Sequence, residues 1–271
     1  MRIPVPESLR VHVDRVEAPA ATRDAATVVV VRDGDQGIEA YLLRRQPTMA
    51  FAPGMYVFPG GGVDEPDRDA DVPWSGPPPS VWAARFGCSE RDARGLVCAA
   101  VRETFEESGV LLAGPDEHSV VADTSAASFQ AARLALEARE MTFGSYLADA
   151  GLVLRADLLG AWAHWITPTF EPRRYDTRFF VAVLPEGQSV GELPGEADRA
   201  DWAPLTSVLA AVDAGGAAML PPTHVTCREI AGLTTSEVLG VAETRTIRPI
   251  EPRLVEVDGE LFLDNDLGDD S

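Results

Sequence analysis

The order of β-branched runs and helix-like segments along the chain predicts a protein of the α/β or α+β class. Strand-like runs fall at residues 25–31, 38–43, 158–166 and 177–184, and helical patterns fall between them at residues 89–108 and 125–150. With 271 residues, 45% of them hydrophobic, the chain is long enough to bury a substantial core. Alternation of this kind predicts a sheet covered by helices, without fixing its topology.

The first two strands are predicted to form a hairpin. A β-branched run from Ala25 to Val31 ends at the turn Asp33-Gly34-Asp35, and apolar character resumes from Ile38 to Leu43. A short strand from Met55 to Phe58 then runs into Gly60-Gly61-Gly62. Successive glycines allow positive φ and close backbone approach, so a tight corner is expected here.

A long helix is predicted after this corner. Residues 65–88 are rich in Asp, Pro and Trp and are expected to form an irregular loop. Ser89 is a candidate N-cap, and the helix is expected to end at Ser108 because Gly109 follows. Apolar residues at helical spacing between Ser125 and Ala150 predict a helical insert.

The last part of the chain mixes strands, helices and turns. The strands at 158–166 and 177–184 are expected to pair across the loop between them. A helix is predicted from Thr206 to Val212, and residues 219–223, which contain two prolines, are expected to form a rigid linker. The pair Asp258-Gly259, flanked by alternating residues, predicts a hairpin.

The charge of the chain limits its partners. The formal net charge is −20, and all 23 basic residues are arginine. Such acidity argues against nucleic acid or an anionic membrane as a partner, and a polyanionic substrate would need local arginines or a metal ion. The three cysteines lack C-x-x-C spacing, and no signal peptide or membrane span is evident, so a cytoplasmic protein is expected.

Three carboxylates dominate the predicted long helix. Glu103, Glu106 and Glu107 stand at i, i+3 and i+4, so they share one helix face. Like charges at this spacing repel, whereas clustered carboxylate oxygens hold hard divalent cations such as Mg²⁺. The alternative interpretation is an acidic face that is simply solvated.

The segment from Arg102 to Val110, with Gly60-Gly61 as its start, resembles the box of the Nudix hydrolases, G-x5-E-x7-R-E-U-x-E-E-x-G-U. The second half matches at nearly every fixed position, with Thr104 as the irregular one. About 27 extra residues precede Arg102. The box's first Glu braces the helix through the Arg in this family, and the candidates to replace it are Asp64, Glu90 and Asp92.

The interrupted box is similar to that of the Nudix branch that includes peroxisomal coenzyme A diphosphatases. Further similar stretches lie at residues 48–61, 162–168, 173–180 and 220–222. The resemblance implies an α+β Nudix fold, an α/β/α sandwich around a mixed sheet. It also implies one domain over residues 1–271, with a core at about 25–115 and 158–213, a helical insert at about 116–157 and a C-terminal extension at about 214–271.

The resemblance also implies a site. Mg²⁺ or Mn²⁺ would be held by Glu103, Glu106, Glu107 and the backbone carbonyl of Gly61. Arg102 would keep the carboxylate helix in register, Glu106 would serve catalysis through the metal, and the general base would be Glu107 or Glu196. Candidates for binding the substrate's phosphates or base are Arg44, Arg45, Phe51, Tyr56, Arg173 and Arg174.

The activity implied is hydrolysis of a diphosphate bond in a nucleotide-type small molecule. Coenzyme A or acyl-coenzyme A would give 3′,5′-ADP and the phosphopantetheine part. NADH, ADP-ribose or another nucleoside diphosphate derivative is the alternative substrate. An inactive Nudix-fold binding or regulatory module is the alternative of another class. Dimerisation is common in the family, and no feature of this sequence decides for or against a homodimer.

Overall fold

The computed structural model of the chain describes residues 2–4, 13, 18–46, 48, 52–69, 71–191 and 197–265. Its strands are β1 (Arg2–Pro4), β2 (Thr22–Gly34), β3 (Gly37–Arg45), β4 (Tyr56–Val57), β5 (Gly60–Gly62), β6 (Trp74–Ser75), β7 (Ala113–Gly114), β8 (Val153–Arg155), β9 (Gly160–Ile166), β10 (Arg174–Val183), β11 (Ala197–Pro204), β12 (Pro249–Ile250), β13 (Arg253–Val257) and β14 (Glu260–Asp264). Its α-helices are α1 (Glu65–Asp69), α2 (Pro79–Phe86), α3 (Glu90–Ser108), α4 (Ala127–Glu137), α5 (Phe143–Ala150), α6 (Leu205–Asp213), α7 (Pro221–Ile230) and α8 (Thr235–Thr244).

The main sheet is mixed and has the strand order β11-β3-β2-β10-β9-β12. The predicted hairpin of β2 and β3 is present, and β9 and β10 pair antiparallel as expected. Among the described residues, two strand pairs of this sheet are parallel: β2 and β10 run side by side over ten residues, and the short β12 pairs with β9. Strands β4 and β5 add to β3 and β2, so the sheet carries the glycine corner on its central strand.

The sheet is covered on both faces. Alternate residues of β2 point to opposite sides, with Val28 and Val30 in one core cluster and Val29 and Val31 in the other. Helix α3 packs in the first cluster and α6, α7 and α8 in the second. The α+β sandwich predicted for the chain is therefore confirmed.

The long helix has the predicted ends. The Ser89 side chain accepts a hydrogen bond from the Asp92 backbone N–H, and Gly109 closes the helix with φ of 78°. The C-terminal hairpin β13–β14 turns at Asp258 and Gly259, which have φ of 53° and 82°. Such positive φ values at both central residues are typical of a two-residue hairpin turn.

The prediction of an irregular loop at 65–88 was wrong. The segment contains α1, β6 and α2, and Trp82 and Phe86 of α2 are buried in the core. These elements are short, and packing against the rest of the molecule holds them, so local propensity did not reveal them. The predicted linker at 219–223 was also wrong, because Pro221 and Pro222 begin α7, where proline is well tolerated.

Two further expectations needed revision. Strand β11 was missed, since it is largely polar and lies at the sheet edge beside β3. The helical region 125–150 is two helices, α4 and α5, separated by a turn at Arg139 with φ of 57°. Within the described ranges, every helix is too short or too polar to span a bilayer.

Candidate active site

Helix α3 carries the site on its C-terminal half. Its apolar face is buried against the sheet, including Leu96, Val97 and Phe105. Thr104, the irregular position of the box, is fully buried, and its hydroxyl is satisfied because it donates to the Ala100 carbonyl at 2.7 Å. The helix therefore tolerates this threonine, and its glutamates face the glycine corner.

The guanidinium of Arg102 joins the parts of the site. Its Nη1 donates to Oε1 of Glu103 at 2.7 Å and to Oε1 of Glu106 at 3.3 Å. Its Nη2 donates to the Gly62 carbonyl at 2.9 Å and to Oδ2 of Asp67 at 2.9 Å. Arg102 is only 7% exposed, so these charged contacts lie in a poorly solvated place. The arginine thus links the helix, the glycine corner and α1.

Asp67 is the main acidic partner of Arg102 outside helix α3, so the candidates Glu90 and Asp92 were wrong and Asp64 makes only a long contact. Asp67 is 3% exposed and also accepts from the Asp64 backbone N–H at 3.0 Å. The Asp64 carboxylate stays 4.0 Å from Arg102, and Asp92 contacts the Ser89 hydroxyl instead. Burial outweighs the bond with Arg102 and raises the pKa of Asp67.

The sequence did contain a signal for Asp67. The pattern G-x5-E puts its acid six residues after the glycine, and six residues after Gly61 is Asp67. An aspartate replaces the glutamate there, and the insertion therefore lies between Asp67 and Arg102. Matching for glutamate alone concealed this position.

The three glutamates do not share one centre in this structure. Glu103 and Glu106 share Nη1 of Arg102, while Oε2 of Glu107 accepts from the Gly60 backbone N–H at 2.8 Å. No three Asp, Glu, His or Cys side chains of the described residues lie close enough together to hold a metal ion. Because carboxylates repel one another, Glu107 takes a different hydrogen-bond donor from the pair Glu103 and Glu106.

The carboxylates next to Arg102 are poorly solvated. Burial raises the pKa of Glu103 to about 7, although the charge of Arg102 opposes the shift. Burial likewise raises the pKa of Glu106, again against Arg102. The Arg102 charge therefore only partly compensates for the lost solvation, and additional positive charge here would favour the ionised carboxylates.

The glycines at residues 60–62, called the glycine corner, let neighbouring groups approach the backbone closely. None of the three glycines has positive φ, and they form strand β5 beside β2, so the tight turn expected at these residues was wrong. A Cβ on Gly61 would lie 2.5 Å from Oε1 of Glu103, and one on Gly60 would lie 2.5 Å from the Ala26 carbonyl. A Cβ on Gly62 would meet nothing within 4 Å. Gly61 is thus shaped to admit the Glu103 carboxylate.

A cleft of about 840 Å³ opens over this corner. Its lining includes Gly60–Gly62, Arg102 and all three glutamates. The helical insert contributes residues 136–143 in part, and the C-terminal extension contributes residues 220–223 and Leu263. The volume lies in the range of small-molecule sites, and such a cleft can hold a nucleotide-sized ligand.

The predicted substrate-binding residues fall in different places. Arg45 lines the cleft, whereas Arg44 and Tyr56 are not part of its lining. Phe51 and Glu196 lie outside the described residues. Of these candidates, only Arg45 is placed by the structure where it can meet a ligand in the cleft.

Neighbouring arginines 173 and 174 have different surroundings. Arg174 donates to the carbonyls of Thr167 at 3.0 Å and Ala20 at 2.9 Å, and it also pairs with Glu251. Arg173 is exposed, lines the cleft and makes no hydrogen bond or ion pair with the described residues. Arg174 therefore ties the strand to its neighbours, and Arg173 is the better phosphate-binding candidate.

Known proteins resemble this chain in sequence and in structure. The model of the NUDT19 Nudix domain matches residues 91–228, about half of the chain. Acyl-coenzyme A diphosphatase NUDT19 of Xenopus laevis is 25% identical in an alignment of 206 residues, and the match covers 63% of this chain and 54% of that protein. The Homo sapiens protein of the same name is 30% identical in an alignment of 185 residues, and that match covers 56% of this chain and 49% of that protein. The chain spans about half the length of these two relatives.

The solved structure of a Nudix hydrolase from Alicyclobacillus acidocaldarius gives a match over nearly its whole length. The TM-score is 0.69 at 30% identity, and the alignment covers 85% of this chain and 99% of that one. Both the sequence of the interrupted box and the whole architecture thus agree with one family. The chain belongs to the Nudix hydrolases.

Proposed function

We propose that the protein hydrolyses the diphosphate bond of coenzyme A or acyl-coenzyme A, giving 3′,5′-ADP and (acyl-)phosphopantetheine. The observation that carries the proposal is the pair of poorly solvated carboxylates, Glu103 and Glu106, held by Arg102 in a nucleotide-sized cleft. The choice of substrate is supported by the names of the two diphosphatase relatives. We also propose that the chain is one domain, because the insert and the extension line the same cleft.

The oxygen donors at the corner are of the type that a hard divalent cation takes, although the carboxylates of Glu103 and Glu107 have different partners in this structure. Glu103 and Glu106 offer carboxylate oxygens, Glu107 lies on the same helix face, and the carbonyl of Gly61 is a candidate fourth donor. The Nη1 group of Arg102, between two carboxylates, marks a position where positive charge is stabilised. When bound, Mg²⁺ or Mn²⁺ would neutralise the diphosphate and orient the attacking water.

The remaining roles belong to the chain's own groups. Arg45 and Arg173 would hold phosphate oxygens, since guanidinium groups bind them through two parallel hydrogen bonds. Glu107 would accept the proton of the attacking water as the oxygen–phosphorus bond forms and the bridging P–O bond breaks. Arg102 would hold the carboxylates in place through its contact with Asp67.

A substrate panel tests the proposal. Turnover of coenzyme A, acetyl-coenzyme A, NADH and ADP-ribose is measured with Mg²⁺ and with Mn²⁺, and chelator-treated protein is the control. We expect kcat/KM for coenzyme A to exceed that for ADP-ribose by about tenfold or more, a difference of about 1.4 kcal/mol. A preference of that size for ADP-ribose would overturn the choice of substrate. Mass spectrometry of products formed in ¹⁸O water identifies the phosphorus that is attacked.

A carboxylate variant tests whether the protein is an enzyme at all. Glu106→Gln keeps the shape of the side chain and removes its charge, so we expect turnover to fall by about 10²-fold or more. An unrelated exposed change, Glu260→Gln, is expected to leave turnover unaltered. Absence of turnover in the wild type, together with equal nucleotide binding by Glu106→Gln, would favour the inactive binding module.

A further inference from the structure

Arg139 stands in an unusual backbone conformation at the end of α4. The helix ends at Glu137, and Ala138 follows as its C-cap. Arg139 then has φ of 57°, and its backbone N–H donates to the Leu136 carbonyl at 2.8 Å. Glycine is the usual residue at this place, because a Cβ is disfavoured in the left-handed region. The chain has a large cationic side chain where glycine would fit with less strain.

The turn delivers the Arg139 side chain to the cleft. The side chain lines the cleft and is 79% exposed. Its ion pair within the described part of the chain is with Asp64, 3.4 Å away, and Asp64 lies 4.0 Å from Arg102. Exposed single ion pairs are weak, so an incoming anion can displace the Asp64 carboxylate at little cost.

The other arginines leave room for such a role. Arg102 is fully engaged by Asp67 and the glutamates, and its guanidinium cannot turn to a phosphate without releasing them. The formal net charge of −20 repels any polyphosphate, so binding depends on the few cations that face the cleft. Arg139 is one of these, and it comes from the helical insert, outside the box.

We propose that Arg139 binds a phosphate group of the substrate and leaves Asp64 when it does so. The proposal rests on the proposed function, because it assumes a nucleotide in this cleft. The phosphate is either one of the scissile diphosphate or the 3′-phosphate of the adenosine. The helical insert then takes part in recognition and does not only cover the core.

Calorimetric titration with non-reacting nucleotides tests the assignment in the presence of Mg²⁺. The ligands are ADP with a methylene bridge between its phosphates, adenosine 3′,5′-bisphosphate and AMP. The variants are Arg139→Gly and Arg139→Gln. The matched control is Arg199→Gln, which removes an arginine that is 62% exposed and pairs with Asp201 at 3.6 Å, away from the cleft lining.

We expect both Arg139 variants to weaken one ligand by about fivefold to tenfold, with Arg199→Gln within about twofold of wild type. If only the methylene analogue binds more weakly, Arg139 contacts the diphosphate. If only the bisphosphate binds more weakly, Arg139 contacts the 3′-phosphate. Arg139→Gly should melt no lower than wild type, because glycine relieves the backbone strain. A structural role alone would not combine weaker binding with retained stability.

The assignment is overturned if neither variant weakens any ligand by more than about twofold, if Arg199→Gln weakens it equally, or if wild type binds none of them. Coenzyme A turnover is measured separately on the same preparations. No turnover in wild type, combined with selective loss of binding in Arg139→Gly, would remove the proposed function and leave the phosphate assignment standing.

Discussion

Replacing Asp67 by asparagine tests the central contact of the site. The change keeps the size of the side chain and removes the negative charge that faces Arg102. In the wild type, the Asp67 carboxylate accepts from Nε of Arg102 at 3.2 Å, from Nη2 at 2.9 Å and from the Asp64 backbone N–H at 3.0 Å. Asparagine can keep only some of these bonds, because its amide nitrogen is a donor.

The size of the effect follows from the burial of the pair. Removing one partner of a buried ion pair costs about 3–5 kcal/mol. Arg102 would keep Glu103, Glu106 and the Gly62 carbonyl, so we expect the lower end of that range, about 3 kcal/mol. At about 2–4 °C per kcal/mol for a chain of this size, the Tm would fall by about 6–12 °C. We expect kcat to fall about 10–100-fold as the carboxylates lose their orientation.

Urea unfolding and initial rates measure the two effects on Asp67→Asn and on a matched variant, Asp64→Asn. Asp64 is 37% exposed, and its carboxylate lies 4.0 Å from Arg102, so its loss should cost at most about 1 kcal/mol and change kcat little. Equal destabilisation by the two variants would refute the assignment of the brace to Asp67. Asp67→Glu, which restores the residue typical of the box, should keep more activity than Asp67→Asn.

Two further predictions concern the same corner. Gly61→Ala should lower kcat about tenfold or more with little change in Tm, because its methyl group displaces the flexible end of Glu103. The control Gly62→Ala should leave kcat and Tm unchanged, because a Cβ at Gly62 meets nothing within 4 Å. Arg68→Met should lower the free energy of unfolding in urea by about 2–3 kcal/mol, because Arg68 is largely buried. Arg91→Met, at an exposed arginine, should lower it by at most about 1 kcal/mol. Equal effects within either pair would contradict the argument for that pair.

Part of the fold was predictable because local and global signals agree. The helix from Ser89 to Gly109 has a capping side chain, an apolar face and a terminal glycine, and each is a short-range property. The β2–β3 hairpin likewise combines β-branched residues with a turn signal. By contrast, β11 exists because the edge of β3 is available to pair with it, and few of its residues favour a strand intrinsically.

The site was predictable to the level of residue types and less so to individual contacts. The spacing of Glu103, Glu106 and Glu107 on one face follows from helix geometry alone. The difference between Arg173 and Arg174 does not follow from local geometry. It depends on contacts of Arg174 with groups elsewhere in the sequence, which are the Thr167 carbonyl, the Ala20 carbonyl and Glu251. Arg139 was not anticipated either, since a positive φ is uncommon for arginine and no residue pattern in the turn between α4 and α5 indicates it.

The insertion in the box is compatible with an intact site because its two ends are tied together. Asp67 and Arg102 are separated by the inserted segment, yet α1 lies against α3 through ion pairs of the two residues that follow Asp67. Arg68 of α1 binds Asp92 near the start of α3, and Arg91 of α3 contacts Asp69 at 3.1 Å. The insertion therefore leaves α1 and returns to α3 at nearly the same place, so the brace and the carboxylates keep the spatial relation that an unbroken box provides through its short spacing.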